Sequence, residues 1–207
     1  MIEWFDYFQI AALILLLLLI TGRAIHLRIT QHINPITIGT GKSGLNKFIE
    51  FGLLVGLTLW VVVVLAYALH FEKRLFPAFV NKLSFDWRFP KLAGLVLLTC
   101  GFVIFLLALV SFRRSWRVGI DEKAPGELVS HGIFAVSRNP IFLSMLLYAS
   151  GTFLINGRMI LLLFAVLMVV GIHYQILQEE KFLLRRYGEA YEEYCARTGR
   201  YITFRRP

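Results

Sequence analysis

The stretch that decides the fold is PIFLSMLLYASGTFLINGRMILLLFAVLMVVGIHYQIL, residues 140–177. It contains two apolar blocks, about Ile141–Ile155 and Met159–Leu177, which are separated only by Asn156-Gly157-Arg158. Because so short a connection makes neighbouring helices run antiparallel, the stretch predicts a tight helical hairpin. Gly157 is the residue of the turn that can adopt a positive φ without steric cost.

The length of the hairpin predicts which polar residues become neighbours. At about 1.5 Å per residue, its two arms are roughly 24 Å and 30 Å long. The second arm therefore returns Glu179 and Glu180 to about the depth of Arg138-Asn139-Pro140, at the end where the first arm begins. We expect the side chains of Arg138 and Glu180 to lie close together.

Three further apolar blocks precede the hairpin, at about Tyr7–Gly22, Phe48–Leu69 and Leu92–Phe112. A helix that spans a bilayer needs about 20 apolar residues. Of the 207 residues, 57% are apolar and 17% are charged, against roughly 25% charged in a soluble domain. The sequence therefore predicts an all-α integral membrane protein, one membrane domain over residues 1–207 with five transmembrane helices. It excludes a soluble enzyme, a disordered chain and a secreted disulfide scaffold.

The distribution of basic residues predicts the orientation. With five spans, 16 of the 22 Lys and Arg fall in residues 23–47, 113–140 and beyond 177, and the other 6 fall in residues 71–91 and at Arg158. Loops rich in Lys and Arg face the cytoplasm. We therefore expect an outside N-terminus and a cytoplasmic C-terminus, in the inner membrane if the cell is bacterial. The apolar blocks leave no soluble domain for nucleic-acid binding.

The pattern changes after Leu177 to that of an amphipathic helix. Apolar and aromatic residues recur at three- and four-residue steps, at Leu183, Tyr187, Ala190, Tyr191 and Tyr194. Gly188 is a candidate break. We expect a C-terminal amphipathic cytoplasmic helix that lies on the bilayer or caps the bundle.

Two polar features near the cytoplasmic end have a functional and a structural interpretation. His173 lies inside the fifth block, and ionisable residues in a span usually face a bundle interior; the alternative is a polar ladder at the membrane edge. Arg138-Asn139-Pro140 opens the fourth block, where free N–H groups favour an anion; the alternative is a basic helix start at the boundary. The histidines show no metal-ligand spacing, and no metal site is predicted.

The residues at these features resemble the isoprenylcysteine carboxyl methyltransferase family. The resemblance lies in GELVSHGIF (126–134), SRNPIF (137–142), EE (179–180), YGEAY (187–191) and TGRYI (198–202), and it covers about residues 116–202. The chain departs from the family pattern where Asn139 replaces the commonest histidine, Ile133 a proline, and Phe134 and Phe142 frequent tyrosines. It is similar to a prokaryotic-type member whose substrate need not be a prenylated protein.

The resemblance implies a cofactor, S-adenosylmethionine, bound at the cytoplasmic end by residues 113–207, with residues 1–112 as an N-terminal three-helix part. It implies cofactor contacts from His131, Gly132, Phe134, Arg138, Asn139, Pro140, Glu179, Glu180, Tyr187 and Tyr191. For a carboxylate acceptor, Arg138, Arg197 and Arg200 are candidate positioning cations. For an amine acceptor, His173 or a glutamate is a candidate base.

The function expected on this basis is methyl transfer to a lipophilic substrate at the cytoplasmic membrane face. Carboxyl O-methylation of an isoprenylcysteine-like or other lipid acceptor is the leading interpretation, with the lipophilic or prenylated substrate and membrane lipids as partners. The alternatives are a phospholipid N-methyltransferase, an NADPH-dependent membrane reductase, and a non-catalytic membrane subunit or transporter. The methyl acceptor and the oligomeric state stay open.

Overall fold

The computed structural model describes residues 3–31, 44–112 and 128–203, and within them the chain is a bundle of helices. The elements in chain order are α1 (Trp4–Gln31), α2 (Leu45–Ala68), α3 (Glu72–Leu75), α4 (Arg88–Phe112), a 3-10 helix (Gly132–Ala135), α5 (Pro140–Asn156), α6 (Met159–Tyr187) and α7 (Glu189–Arg197). The expected boundary at residue 113 and the motif residues 126–127 lie outside the described residues.

Four helices of the described chain, α1, α2, α4 and α6, are long and apolar enough to cross a membrane. The chain therefore has the character of a multi-pass membrane protein. Helix α5 has 17 residues, which at about 1.5 Å per residue makes roughly 25 Å, shorter than the roughly 30 Å of the hydrocarbon core. A fifth span formed by α5 stays a prediction.

Two helices extend further than the apolar blocks of the sequence. Helix α1 continues nine residues past Gly22 to Gln31, because Leu27 is fully buried against Phe105 and Leu109 of α4. Helix α6 continues past Leu177 to Tyr187 and stops at Gly188. Gly188 has a φ of 53° and a ψ of −126°, a conformation that favours glycine.

The predicted hairpin between α5 and α6 is confirmed. Gly157 ends α5 with φ 60° and ψ 28°, and its N–H donates to the carbonyl of Phe153 at 2.7 Å. A Cβ at this position would overlap the carbonyl of Phe85. The loop before α4 holds the tip, since the Ser84 N–H donates to the Gly157 carbonyl at 2.7 Å.

Small residues let α4 and α5 pack backbone to backbone. A Cβ on Gly94 of α4 would lie 2.6 Å from the carbonyl oxygen of Gly151 on α5, and a Cβ on Gly101 would lie 2.9 Å from the Tyr148 ring. Lipid tails are as apolar as the helices, so close van der Waals contact of this kind is a main source of helix association in membranes. The contact fixes the position of α5 relative to α4, and with it the position of Arg138-Asn139-Pro140 at the start of α5.

Candidate active site

The polar cluster lies where α5 begins and α6 passes beside it. Arg138, two residues before α5, places its Nη2 3.0 Å from the Oε1 of Glu180, and the two side chains are only 11% and 13% exposed. The expectation that the hairpin brings Arg138 and Glu180 together is confirmed. The rise and the antiparallel course of the two arms are sufficient to explain it.

Glu180 also binds a second guanidinium, which comes from the end of the described chain. Arg200 donates from its Nε and from its Nη2 to the Glu180 carboxylate, at 3.0 Å and 2.6 Å from Oε2. Such forked arginine–carboxylate contacts are among the stronger hydrogen bonds in proteins. The hydrogen bond to Glu180 raises the pKa of Arg200 above its usual value, so this side chain stays charged.

Segment 199–203 runs antiparallel to the residues that precede α5. The Arg138 N–H donates to the Gly199 carbonyl at 3.0 Å, and the Thr203 N–H donates to the Val136 carbonyl at 2.8 Å. The Thr203 hydroxyl accepts from the Gly199 N–H at 2.8 Å. The segment therefore fixes the backbone of Arg138 as well as the side chain of Glu180.

Two further contacts tie segment 199–203 to both arms of the hairpin. The buried Asn139 donates from its amide Nδ2 to the Arg200 carbonyl at 3.1 Å. His173 of α6 places its Nδ1 2.9 Å from the Tyr201 hydroxyl. Segment 199–203 thus contacts both His173 and Glu180, which lie seven residues apart on α6. The side chain of His173 is exposed and not buried in the bundle.

A group of aromatic side chains packs beside the Arg138–Glu180 ion pair on the side of α7. The ring of Phe134 in the 3-10 helix meets Phe112 edge-on at 4.5 Å between centroids, and its carbonyl accepts from the Tyr194 hydroxyl at 2.7 Å. Tyr191 is 3% exposed, and its hydroxyl has no hydrogen-bond partner among the described residues. Burial raises the pKa of Tyr191 and of Tyr194, and the Glu180 carboxylate raises that of Tyr191 further. Both phenols therefore stay neutral.

A cavity of about 480 Å³ reaches from this cluster into the bundle between α1, α2, α4 and α5. Its volume lies within the range of small-molecule sites. Its polar end holds Arg138, Asn139 and Glu179, and the Gln175 amide donates to Glu179 at 3.3 Å. The Arg138 Nε is buried and has no hydrogen-bond partner within the described chain. The remaining walls are almost entirely apolar and include Leu17, Ile20, Leu57, Phe105, Phe112 and Met145.

The structure brings half of the predicted cofactor residues to the cavity and places the others around it. The cavity lining contains Phe134, Arg138, Asn139, Pro140 and Glu179. Glu180, Tyr187 and Tyr191 lie beside it in the ion-pair and aromatic clusters. The predicted site residues that are exposed are His131 and Gly132, expected at the cofactor, and His173 and Arg197, expected at the acceptor. Gly132 has a φ of 63°, and a Cβ there would overlap the Ser111 hydroxyl, so the glycine fits the chain against α4.

Sequence reasoning missed the hydrogen bonds of Thr203 and the cavity itself. The motif TGRYI is part of the family resemblance, but nothing in it predicts which residues its backbone pairs with. No group of three or more His, Cys, Asp or Glu that could hold a metal ion occurs among residues 3–31, 44–112 and 128–203.

Comparisons with known proteins show similarity to methyltransferases over part of the chain. Residues 90–190 match the family described as phospholipid methyltransferase. Two proteins named "Probable protein-S-isoprenylcysteine O-methyltransferase", from Oryza sativa subsp. indica and subsp. japonica, are each 29% identical over 113 residues. The aligned region covers 53% of this chain and 59% of each relative. These findings agree with the motifs: the chain is similar to the phospholipid methyltransferase family over residues 90–190 and to the two isoprenylcysteine O-methyltransferases over 113 residues.

Proposed function

We propose that the protein transfers a methyl group from S-adenosylmethionine to the carboxylate of a lipophilic, isoprenylcysteine-like acceptor. The observation that carries the proposal is an apolar cavity that ends at a buried guanidinium with an unpaired Nε–H among the described residues. A carboxylate supplies the missing hydrogen-bond acceptor and the opposite charge. The apolar walls suit the hydrocarbon tail of the same molecule.

The residues at the polar end also fit S-adenosylmethionine, which carries an ammonium, a sulfonium, a carboxylate and an adenine ring. Of the two predicted carboxylates, Glu179 is among the residues that line the cavity and Glu180 is not. We assign the cofactor's positive charges to Glu179. The first turn of α5, which begins at Pro140, offers free N–H groups to an anion, and Phe134 offers an aromatic surface to the adenine.

The chemistry needs positioning more than proton transfer. The cofactor supplies an electrophilic methyl group on sulfur, and an ionised carboxylate is already a nucleophile. Arg138 would orient that carboxylate for in-line attack, and Glu180 would hold Arg138 in place. The apolar walls exclude water, which strengthens the electrostatic contacts at the polar end.

The position of His173 favours a carboxylate over an amine acceptor. An amine must lose a proton before it attacks, and the predicted base was His173 or a glutamate. Of the two glutamates at the site, Glu179 is assigned to the cofactor's positive charges, and Glu180 binds two arginines. His173 is exposed, contacts Tyr201, and is not among the residues that line the cavity. Phospholipid N-methylation is therefore less well supported than carboxyl O-methylation.

We propose further that the polar end of the cavity faces the cytoplasm, with α5 as the fifth span and the N-terminus outside. The excess of Lys and Arg on this side supports the orientation. A cofactor from the cytoplasm could then reach the same end of the cavity as an acceptor drawn from the membrane. In this arrangement residues 113–207 supply most polar groups, and residues 1–112 supply most apolar wall.

Calorimetric titration of the purified, detergent-solubilised protein with S-adenosylhomocysteine tests the cofactor assignment. We expect Glu179→Gln to weaken binding about 10- to 150-fold, the equivalent of one charge-assisted hydrogen bond of about 1.5–3 kcal/mol. The matched control is Glu192→Gln, on the exposed side of α7, which should bind as the wild type does. Stabilisation by NADPH but not by S-adenosylhomocysteine would instead indicate a reductase.

Radiolabelled methyl transfer tests the acceptor. N-acetyl-S-farnesylcysteine should be labelled, and its carboxamide should not. Arg138→Lys keeps the charge but removes the Nε–H, so it should lower kcat/KM for the acid. Labelling of the carboxamide, or of amine headgroups in a lipid extract in preference to the acid, would refute carboxyl methylation.

A further inference from the structure

The end of the cavity opposite its polar end is lined by almost fully buried side chains. Three side chains form this cavity floor: Leu13 of α1, Trp60 of α2 and Tyr148 of α5, which are 2%, 1% and 1% exposed. Along α5, Tyr148 lies eight residues from Pro140, or about 12 Å at 1.5 Å per residue. The three helices therefore close the cavity about 12 Å below the polar end.

Hydrogen bonds between helices hold the two aromatic rings of the floor. The indole Nε1 of Trp60 donates to the hydroxyl of Thr152 on α5 at 3.2 Å. The Tyr148 hydroxyl donates to the carbonyl of Ala12 on α1 at 3.3 Å. Because each ring is tied to a different helix, neither can turn aside without leaving a buried polar group unpaired, which is unfavourable.

The layer beyond the floor is polar and does not offer more room for a hydrocarbon. Gln9 of α1 is fully buried and accepts from the Asn156 amide at 2.8 Å. The Gln9 amide in turn donates to Asp6 at 3.3 Å. An apolar chain that passed the floor would have to break these side-chain contacts.

We propose that Trp60 and Tyr148 set the maximum length of the hydrocarbon tail that the enzyme accepts. This inference rests on the proposed function, since it takes the occupant of the cavity to be the tail of the methyl acceptor. With the headgroup at Arg138, each methylene added to the tail buries more apolar surface until the tail reaches the floor. Each such methylene should increase the affinity about fourfold. A longer tail must displace a hydrogen-bonded ring or leave the cavity between helices.

The test measures kcat/KM with N-acetylcysteines that carry geranyl, farnesyl or geranylgeranyl tails. The wild type should show a limit, beyond which kcat/KM falls. Trp60→Ala opens the floor and should raise the ratio of longer- to shorter-tail kcat/KM at least tenfold, about the gain from two more buried methylenes. The control is Trp87→Ala, an exposed tryptophan before α4, which should keep the wild-type ratio. If Trp60→Ala does not fold, Trp60→Leu serves in its place.

A second measurement separates this inference from the proposed function. Thermal stabilisation by each N-acetylcysteine reports binding of its tail without turnover. The increase in melting temperature should stop at one tail length in the wild type and at a longer tail length in the Trp60 variant. If this is seen without methyl transfer, it would support the floor and refute the proposed function. Methyl transfer with the same length ratio in the wild type and the folded Trp60 variant would refute the floor alone. Neither transfer nor stabilisation would refute both.

Discussion

Removal of the Glu180 carboxylate should destabilise the protein strongly. Glu180→Ala leaves Arg138 as a nearly buried cation, since the side chains of this pair are 11% and 13% exposed. Loss of one partner of a buried ion pair costs about 3–5 kcal/mol. For a chain of this size, about 2–4 °C of melting temperature corresponds to 1 kcal/mol, so we expect a decrease of about 6–20 °C.

The matched control is Arg200→Ala, which breaks the other half of the same cluster. Arg200 is 36% exposed, and exposed ion pairs contribute only about 0–1 kcal/mol. Its loss should lower the melting temperature by at most about 4 °C. Both variants can be compared in one detergent by a thermal-unfolding scan.

The double variant Arg138→Met with Glu180→Leu sharpens the test. Replacement of a buried pair by apolar residues of similar volume is often neutral or stabilising. It should therefore recover most of the loss caused by Glu180→Ala, although it abolishes the proposed carboxylate site. Equal decreases for Glu180→Ala and Arg200→Ala would refute the reasoning, because they would mean that Arg138 is not left as a buried charge.

Three smaller effects can be measured in the same thermal scans. Gly94→Ala should destabilise by about 1–3 kcal/mol through overpacking against Gly151, whereas Gly56→Ala, with open space around its Cβ, should gain about 0.5–1 kcal/mol in helix propensity; equal effects would contradict the packing argument. Tyr194→Phe should cost about 0.5–1.5 kcal/mol by removing a donor, and Tyr191→Phe should cost nothing or stabilise, because its hydroxyl is unpaired among the described residues. Because folding raises the pKa of both phenols, Tyr191 and Tyr194 ionise in the unfolded chain first, near pH 10. The free energy of unfolding is therefore constant below about pH 10 and decreases above it. Tyr191→Phe should reduce this alkaline decrease.

The contact between Arg138 and Glu180 could be predicted because few variables determine it. The two-residue connection Gly157-Arg158 makes the two arms antiparallel, and the rise per residue then gives the depth of each side chain. The end of α1 could not be predicted in this way. Leu27 lies after the apolar block, between His26 and Arg28, and only its burial against α4 shows why the helix continues.

Segment 199–203 and the cavity were not predictable for two different physical reasons. The segment is held by backbone hydrogen bonds, such as those of Gly199 and Thr203, and such bonds leave no periodic pattern in a sequence. The cavity depends on which helix faces meet. Helices that are apolar on all sides, as α1 and α2 nearly are, give no pattern from which the facing residues can be identified.

The position of segment 199–203 in the chain has a consequence for biosynthesis. Arg138 pairs its backbone with Gly199, a residue translated after all the helices that the structure describes. A ribosome needs about 3–12 s to travel from one to the other at about 5–20 residues per second. Both arms of the hairpin, α5 and α6, are translated within that interval, while Arg138 and Asn139 still lack their backbone partners. Assembly of the site is thus completed only after Gly199 has been synthesised.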